Sequence, residues 1–293
     1  VGILETICEE RGADAARLRR ERPPSSLERS SGPVRPAFGR ASGRAFTGGE
    51  GAAPGARRPP LLIAECKKAS PSRGLLVPDY DPVRLASAYE RGGAGLISVL
   101  TEPRHFQGSD EHLRAVRTAV GLPVLRKDFI VDPYQVLEAW AIGADAILLI
   151  AAALGSDQML ELAAAARELG LGILAEAHDP GEVEKAAAAR PDAIGVNSRN
   201  LRDFSINPSR ATSLIGLLPE GTLRVAESGM KVPKDAAALR AAGFDAFLVG
   251  EALATAPNPE AATREFIAAL ASAAATREFI AALASAAAKG TRE

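Results

Sequence analysis

A chain of 293 residues, 47% of them hydrophobic and with a formal net charge of −1, suits one large α/β barrel or two small domains. So even a charge balance offers no electrostatic case for nucleic acid or an anionic membrane as a partner. The longest apolar run, Ala146 to Leu154, is far shorter than the roughly 20 residues that span a bilayer, and Cys8 and Cys66 are too few for a disulfide scaffold or metal cluster.

In chain order, Ile3–Arg22 reads as an amphipathic helix with Ile3, Leu4, Ile7, Cys8, Ala13 and Leu18 on its apolar side. Glu5, Glu9 and Glu10 interrupt this segment early, which is unlike a secretion signal, so a reducing cytoplasm is the expected compartment. Residues 23–60 are rich in Pro, Ser, Gly and Arg and read as an arm and long loop, with Gly48–Gly55 as its mobile part.

From residue 61 the pattern changes. Eight short apolar runs follow: Leu61–Ala64, Leu96–Leu100, Val124–Leu125, Ala146–Ile150, Gly172–Ala175, Ala193–Val196, Leu223–Ala226 and Ala246–Val249. Runs without polar alternation are the mark of parallel strands buried on both faces. Helical patterns lie between them, among them Asp110–Ala119, Asp132–Ile142, Asp157–Leu169 and Lys234–Ala241. Glycines 92, 121, 143, 170 and 243 fall just after such patterns, where helices usually stop. Eight βα units favour a closed barrel over an open doubly wound sheet, which usually has fewer strands. No glycine-rich dinucleotide fingerprint follows the first strand. The expected fold is α/β, a (β/α)₈ TIM barrel with an N-terminal helical extension: arm 1–60, barrel 61–274 and tail 275–293.

The tail holds a tandem repeat, ATREFIAALASAA at 262–274 and again at 275–287. One copy can form the eighth barrel helix through Phe266, Ile267 and Leu270. Thirteen residues at about 100° each leave the second copy about 220° out of register, so it reads as redundant. Arg outnumbers Lys by 28 to 7, and Asn plus Gln total 7. Thermophily and GC-rich codon usage both produce that bias, and codon usage is the simpler cause.

Side chains at the C-terminal ends of barrel strands converge on one mouth. Here the apolar runs lead into Glu65 and Lys67, Lys127, Glu176, Asn197, Glu227–Ser228–Gly229 and Gly250–Glu251. A lone polar residue at a strand end is usually just solvated, but six strands ending this way describe a polar cavity. Lysines beside carboxylates in a partly dry mouth suit proton transfer on an anionic substrate. The segments after strands seven and eight are where many barrels bind phosphate through backbone N–H groups. His105, His112 and His178 have no metal-ligand spacing and read as surface or core residues. Ser70 and Ser228 have no His partner for a nucleophilic triad. Cys66 alternates with Glu65 and Lys67, so it should face away from the mouth.

The segments IAECKKASPSRG (63–74), ISVLTEPRHFQGS (97–109), PVLRKDFIVDPY (123–134), ADAILLI (144–150), IGVNSRNL (194–201), VAESGM (225–230) and FLVGEAL (247–253) resemble, in order, the motifs of the indole-3-glycerol phosphate synthases. The resemblance covers residues 61–270 and implies a cofactor-free, metal-free reaction on a small phosphorylated substrate. In it, 1-(2-carboxyphenylamino)-1-deoxyribulose 5-phosphate closes its ring with loss of carbon dioxide and water. By motif position Lys127 resembles the general acid and Glu176 the carboxylate that handles protons in dehydration. Lys67 resembles a second lysine, used in binding or dehydration, while Glu65 and Asn197 orient the lysines and substrate hydroxyls. Ser70, Glu227, Ser228, Gly229, Gly250 and Glu251 match substrate-binding positions, all but Glu227 around the phosphate, with Glu251 offering its backbone N–H. Phe129 and Leu148 match apolar positions around the aromatic ring, and Arg199 faces the substrate carboxylate. A monomer or weak homodimer is expected. The segment from Phe38 to Pro60 is longer and more glycine-rich than the family pattern. The rivals are another phosphate-handling barrel such as phosphoribosylanthranilate isomerase, and a non-catalytic barrel that only binds phosphorylated ligands.

Overall fold

A computed structural model of the chain describes residues 2–29, 31–38, 59–201, 204–207 and 209–273. The expected mobile stretch Gly48–Gly55 and the second tail copy lie outside these residues. Eight parallel strands close a barrel in which each strand pairs with its sequence neighbours and the last with the first. They are β1 (Leu61–Cys66), β2 (Leu96–Leu100), β3 (Val124–Lys127), β4 (Ala146–Ile150), β5 (Gly172–Ala177), β6 (Ala193–Asn197), β7 (Leu223–Glu227) and β8 (Ala246–Val249).

Strand parity divides the core in two. Leu61, Ile63, Leu96, Leu125, Leu148, Leu174, Leu223, Val225 and Leu248 share one cluster, inside the barrel. Leu62, Ala64, Cys66, Ile97, Val99, Ile147, Ile173, Ile194 and Phe247 belong to the other, under the helices. Both faces are dry because a parallel sheet is covered on both sides. Cys66 lies in the outer cluster, as alternation requires.

The helical layer is α2 (Pro82–Arg91), α3 (Asp110–Ala119), α4 (Pro133–Ile142), α5 (Ser156–Glu168), α6 (Pro180–Ala188), α7 (Ser209–Leu214) and α8 (Pro233–Ala242), with a helix over 259–273 closing the ring. Several start signals are explicit. Asp81, Asp132 and Asp179 cap α2, α4 and α6 through their side chains, each followed by Pro, a residue pre-set for the first turn. Phe266 and Leu270 of the first repeat copy are buried, with Ile267 packed beside them.

The N-terminal segment departs from its sequence reading in two ways. The buried residues of α1 (Ile3–Glu21) are Leu4, Ile7, Arg11, Asp14 and Ala15, whereas Ala13 is exposed. The stripe follows helical spacing, but two of its members are charged, which hid it from an apolar count. Nor is the described part of the arm a free loop. Arg29 and the backbone N–H of Arg35 both bond Asp145, and the Arg35 guanidinium donates to Val120 O and Leu122 O. Ala37 and Phe38 join the barrel-interior cluster, and a Cβ on Gly172 would meet the Phe38 ring at 3.0 Å. The arm thus plugs the N-terminal end of the barrel, opposite the mouth.

Candidate active site

Parity also builds the mouth. Glu65, Lys127, Glu176, Asn197 and Glu227 stand two residues beyond Ile63, Leu125, Leu174, Gly195 and Val225. They therefore face inward, at the level where the strands end. A cavity of about 510 Å³ opens there, and all fourteen site residues expected from sequence line it. Phe106, Arg73, Ile206 and Lys231 also line it, and no strand-end rule pointed to them because they sit on the loops.

The floor is a network of charge. Lys67 Nζ lies 3.0 Å from Glu65 Oε1, and Lys127 Nζ lies 3.5 Å from Glu176 Oε2 and 3.8 Å from Glu227 Oε2. Burial works against the Lys127 ammonium, but Glu176, Glu227 and Glu65 outweigh it and hold the group protonated above its usual range. Glu65 and Glu176 are likewise pushed up by burial. Lys67 and Lys127 pull Glu65 below the carboxylate range, and Lys127 with His178 does the same to Glu176.

Glu227 is the exception. Both its carboxylate oxygens are buried without a hydrogen-bond partner, and burial, reinforced by the neighbouring Glu176, pushes it up to about 8. Three carboxylates around one ammonium cannot all ionise freely, so the least supported one keeps a proton. The sign for stability follows. The folded state holds a proton that the unfolded chain gives up at 4.5, so this group erodes stability between pH 4.5 and about 8. Glu227→Gln, which mimics the protonated form, is expected to gain in melting temperature relative to wild type as pH rises from 5 to 8. A gap between the two that stays flat over this range is the contrary result.

Two glycines make room for these carboxylates. A Cβ on Gly195 would fall on Oε1 of Glu227, and one on Gly250 would fall on Oε1 of Glu65. Gly250 was expected only as a phosphate cradle. Gly195, in β6, was not singled out, though its inward parity marks it. Gly195→Ala should displace Glu227, cost about 1–3 kcal/mol as overpacking does, and lower turnover at least about tenfold. Wild-type turnover in this variant would show that the Glu227 position is not critical.

The rim is less dry. Ser228 and Gly229 both have positive φ, 62° and 80°, strain that for a serine is characteristic of functional turns. Glu251 pairs with Arg73 at 3.4 Å, and Arg199 donates to Ser72 Oγ at 3.3 Å and Phe204 O at 3.2 Å. These links fasten the loop after β1 to the far side of the mouth. Phe129 and Phe106 meet at 6.0 Å between ring centroids, and Lys67 Nζ lies 5.9 Å from the Phe106 ring. Behind them, Glu102 accepts the backbone N–H groups of Arg104, His105 and Phe106, and His105 Nε2 lies 2.9 Å from Glu10, bracing this loop against α1.

Sequence reasoning treated His178 as an ordinary surface or core residue, and the structure corrects this. It is half-buried behind Glu176, with Nε2 3.3 Å from Glu176 Oε1. Its position two residues after Glu176 was the available signal.

The geometry defines a closed (β/α)₈ barrel whose C-terminal mouth carries an acid–base cluster beside an apolar wall. The family model for indole-3-glycerol phosphate synthase matches residues 4–266, and the chain belongs to that family. The indole-3-glycerol phosphate synthase of Chlorobium phaeovibrioides is 47% identical over 252 residues, covering 85% of this chain and 93% of that protein. The one from Azospirillum brasilense is 43% identical over 268 residues, covering 91% and 99%. Among solved structures, 3-hexulose-6-phosphate synthase from Salmonella typhimurium aligns with a TM-score of 0.59 at 15% identity, covering 73% of this chain and 99% of that one. Thiamine phosphate pyrophosphorylase from Pyrococcus furiosus aligns at 0.56 and 18%, covering 73% and 96%. At such identities the likeness shows the fold alone.

Proposed function

We propose that the chain is a carbon–carbon lyase of the carboxy-lyase type. It would convert 1-(2-carboxyphenylamino)-1-deoxyribulose 5-phosphate to indole-3-glycerol phosphate, carbon dioxide and water. The observation that carries this reading is the Lys127 ammonium, held between Glu176 and Glu227 within reach of the Phe129 and Leu148 wall. Ring closure needs a proton at the ketone oxygen while the ring carbon that bears the carboxylate attacks. A half-buried ammonium held by carboxylates next to an apolar platform can supply that proton.

Loss of the carboxylate as carbon dioxide restores the aromatic ring and leaves a tertiary hydroxyl on the new five-membered ring. Its departure as water takes a second proton, and removal of a proton from the neighbouring carbon completes the indole. Glu176, held ionised, is suited to take the ring proton, and Lys67, beside Glu65, to serve the leaving hydroxyl. Asn197 orients the chain of substrate hydroxyls. Backbone N–H groups at Ser228–Gly229 and Gly250–Glu251, with Ser70, form the cradle for phosphate, while Arg199 meets the substrate carboxylate.

Among the described residues no helix is long and apolar enough to cross a membrane, and both cysteines are free, which is compatible with a reducing cytoplasm. The test is direct. The purified chain with the carboxyphenylamino substrate should develop indole fluorescence without added metal or cofactor, and inorganic phosphate should compete. Binding of phosphorylated ligands with no indole formed would instead mark a non-catalytic barrel.

A further inference from the structure

Behind the mouth, Glu182 and His178, both outside the lining of the cavity, form a line with Glu176, which belongs to that lining. Glu182, in the first turn of α6, accepts both the backbone N–H of His178 at 2.7 Å and its Nδ1–H at 2.9 Å. The backbone contact anchors Glu182 beside the ring, and the ring cannot turn without losing the Nδ1–H contact. Its other nitrogen, Nε2, faces Glu176 Oε1 at 3.3 Å, within ion-pair distance though without hydrogen-bond angles in this state. The His178 side chain is only 10% exposed and that of Glu176 1%, so the charge of one is poorly screened from the other.

We propose that His178, gripped by Glu182, is a positioning residue that holds an imidazolium against the back of Glu176 and keeps that carboxylate ionised and fixed in the mouth. The inference rests on the role given to Glu176 in the proposed function and extends it to two residues that do not touch the substrate.

The surroundings fit a permanent cation. The groups facing His178 are the two carboxylates. Lys185, one turn further along α6, is occupied by Ala151 O and Leu154 O, and Asp179 by the backbone N–H of Glu182. Burial opposes the charge, but the adjacent Glu176 and Glu182 carboxylates outweigh it and move the imidazole up to about 10. Glu176 in turn faces Lys127 from β3, Asn197 from β6, Glu227 from β7 and Glu65 from β1. Lys127 must give up its proton in the reaction and for that moment ceases to be a cation. His178 is the cation that remains, so Glu176 stays a base when Lys127 is spent. The line Glu182–His178–Glu176 uses a carboxylate to orient an imidazole, which then acts on a second group rather than on the substrate.

Two variants and one spectrum test this. In His178→Gln the amide can still meet Glu176 but carries no charge. In Glu182→Gln the grip remains with its charge removed. Glu176 should then protonate more easily, so the acid limb of the kcat profile should move up by about one pH unit in the first variant and about half a unit in the second. KM at pH 8 should stay within about threefold of wild type. Profiles superimposable on wild type in both variants overturn the proposal. Imidazole ¹⁵N spectra of the intact chain provide a readout free of catalysis. Only three histidines are present, and His178→Gln identifies the signal. The ring should remain doubly protonated at pH 8 and lose its proton at a lower pH in Glu182→Gln; a neutral His178 ring at pH 7 overturns the proposal. A wild-type chain that forms no indole defeats the proposed function, while the spectrum still decides the state of His178.

Discussion

Lys127→Ala is expected to lose at least about a hundredfold in turnover, the range of general acid catalysis, with KM changed only a few-fold. The expectation comes from position and charge together. Lys127 ends β3 on the inward parity, its Nζ reaches two carboxylates, and it is held as an ammonium at the point where the cavity meets the Phe129 wall. Its removal leaves Glu176 and Glu227 without the cation between them. Glu227 should then hold its proton still more firmly, and Glu176 should keep only His178 as a close cation. The variant's residual activity should therefore fall further on acidification than the wild type's does. Single-turnover measurement of indole formation separates this chemistry from substrate binding. A variant within tenfold of wild type would end the assignment of Lys127 as the acid.

The second large effect is expected from a residue outside the lining of the cavity. Arg11, in α1, donates Nε to Asp128 Oδ1 at 2.9 Å and one Nη to Oδ2 at 2.7 Å, and the pair is buried. Asp128 directly follows Lys127. It also accepts Thr101 Oγ1–H at 2.6 Å and the backbone N–H of Phe129 at 2.8 Å, with Arg126 at 3.3 Å. Asp14, one turn further along α1, accepts from Arg104 in the loop that carries Phe106. The helix therefore grips two mouth loops by charge, the first through a buried pair and the second through the exposed Arg104.

Breaking one partner of a buried pair costs about 3–5 kcal/mol, because the other charge is left in a dry site. Arg11→Met should fall near the lower end, since Asp128 keeps Arg126 and Thr101. Turnover should drop as well, as Lys127 and Phe129 lose their fixed backbone. Denaturant unfolding and kcat on the same preparation check both parts. Stability within 1 kcal/mol of wild type would show that Arg126 alone suffices for Asp128. Loss of stability with full turnover would show that α1 serves the fold and not the site.

Much of this protein is decided locally. Eight apolar runs separated by capped helical patterns admit few arrangements other than a closed parallel barrel, because each run must be buried on both faces and each helix must cover one. Once the strands are placed, alternation alone turns Glu65, Lys127, Glu176, Asn197 and Glu227 inward and Cys66 outward. That is why the expected site residues on the strands share one cavity. What alternation cannot reach are contacts between segments distant in the chain. The pairing of Arg11 with Asp128 joins residues 117 apart, and nothing near either one announces the other. Charged members in the buried stripe of α1 disguise its true face, and the plug formed by Ala37 and Phe38 looks like loop because two residues carry no period. The protonation states of the mouth belong to the same class. Glu65, Glu176 and Glu227 are chemically identical in the sequence, yet they diverge although burial raises all three. Lys67 and Lys127 offset it at Glu65 and Lys127 with His178 at Glu176, whereas Glu227 has only the shared Lys127 at 3.8 Å and faces Glu176. Sequence determines which groups enter the mouth. Distances of a few ångströms, set by the closure of the barrel, decide which of them keeps its proton.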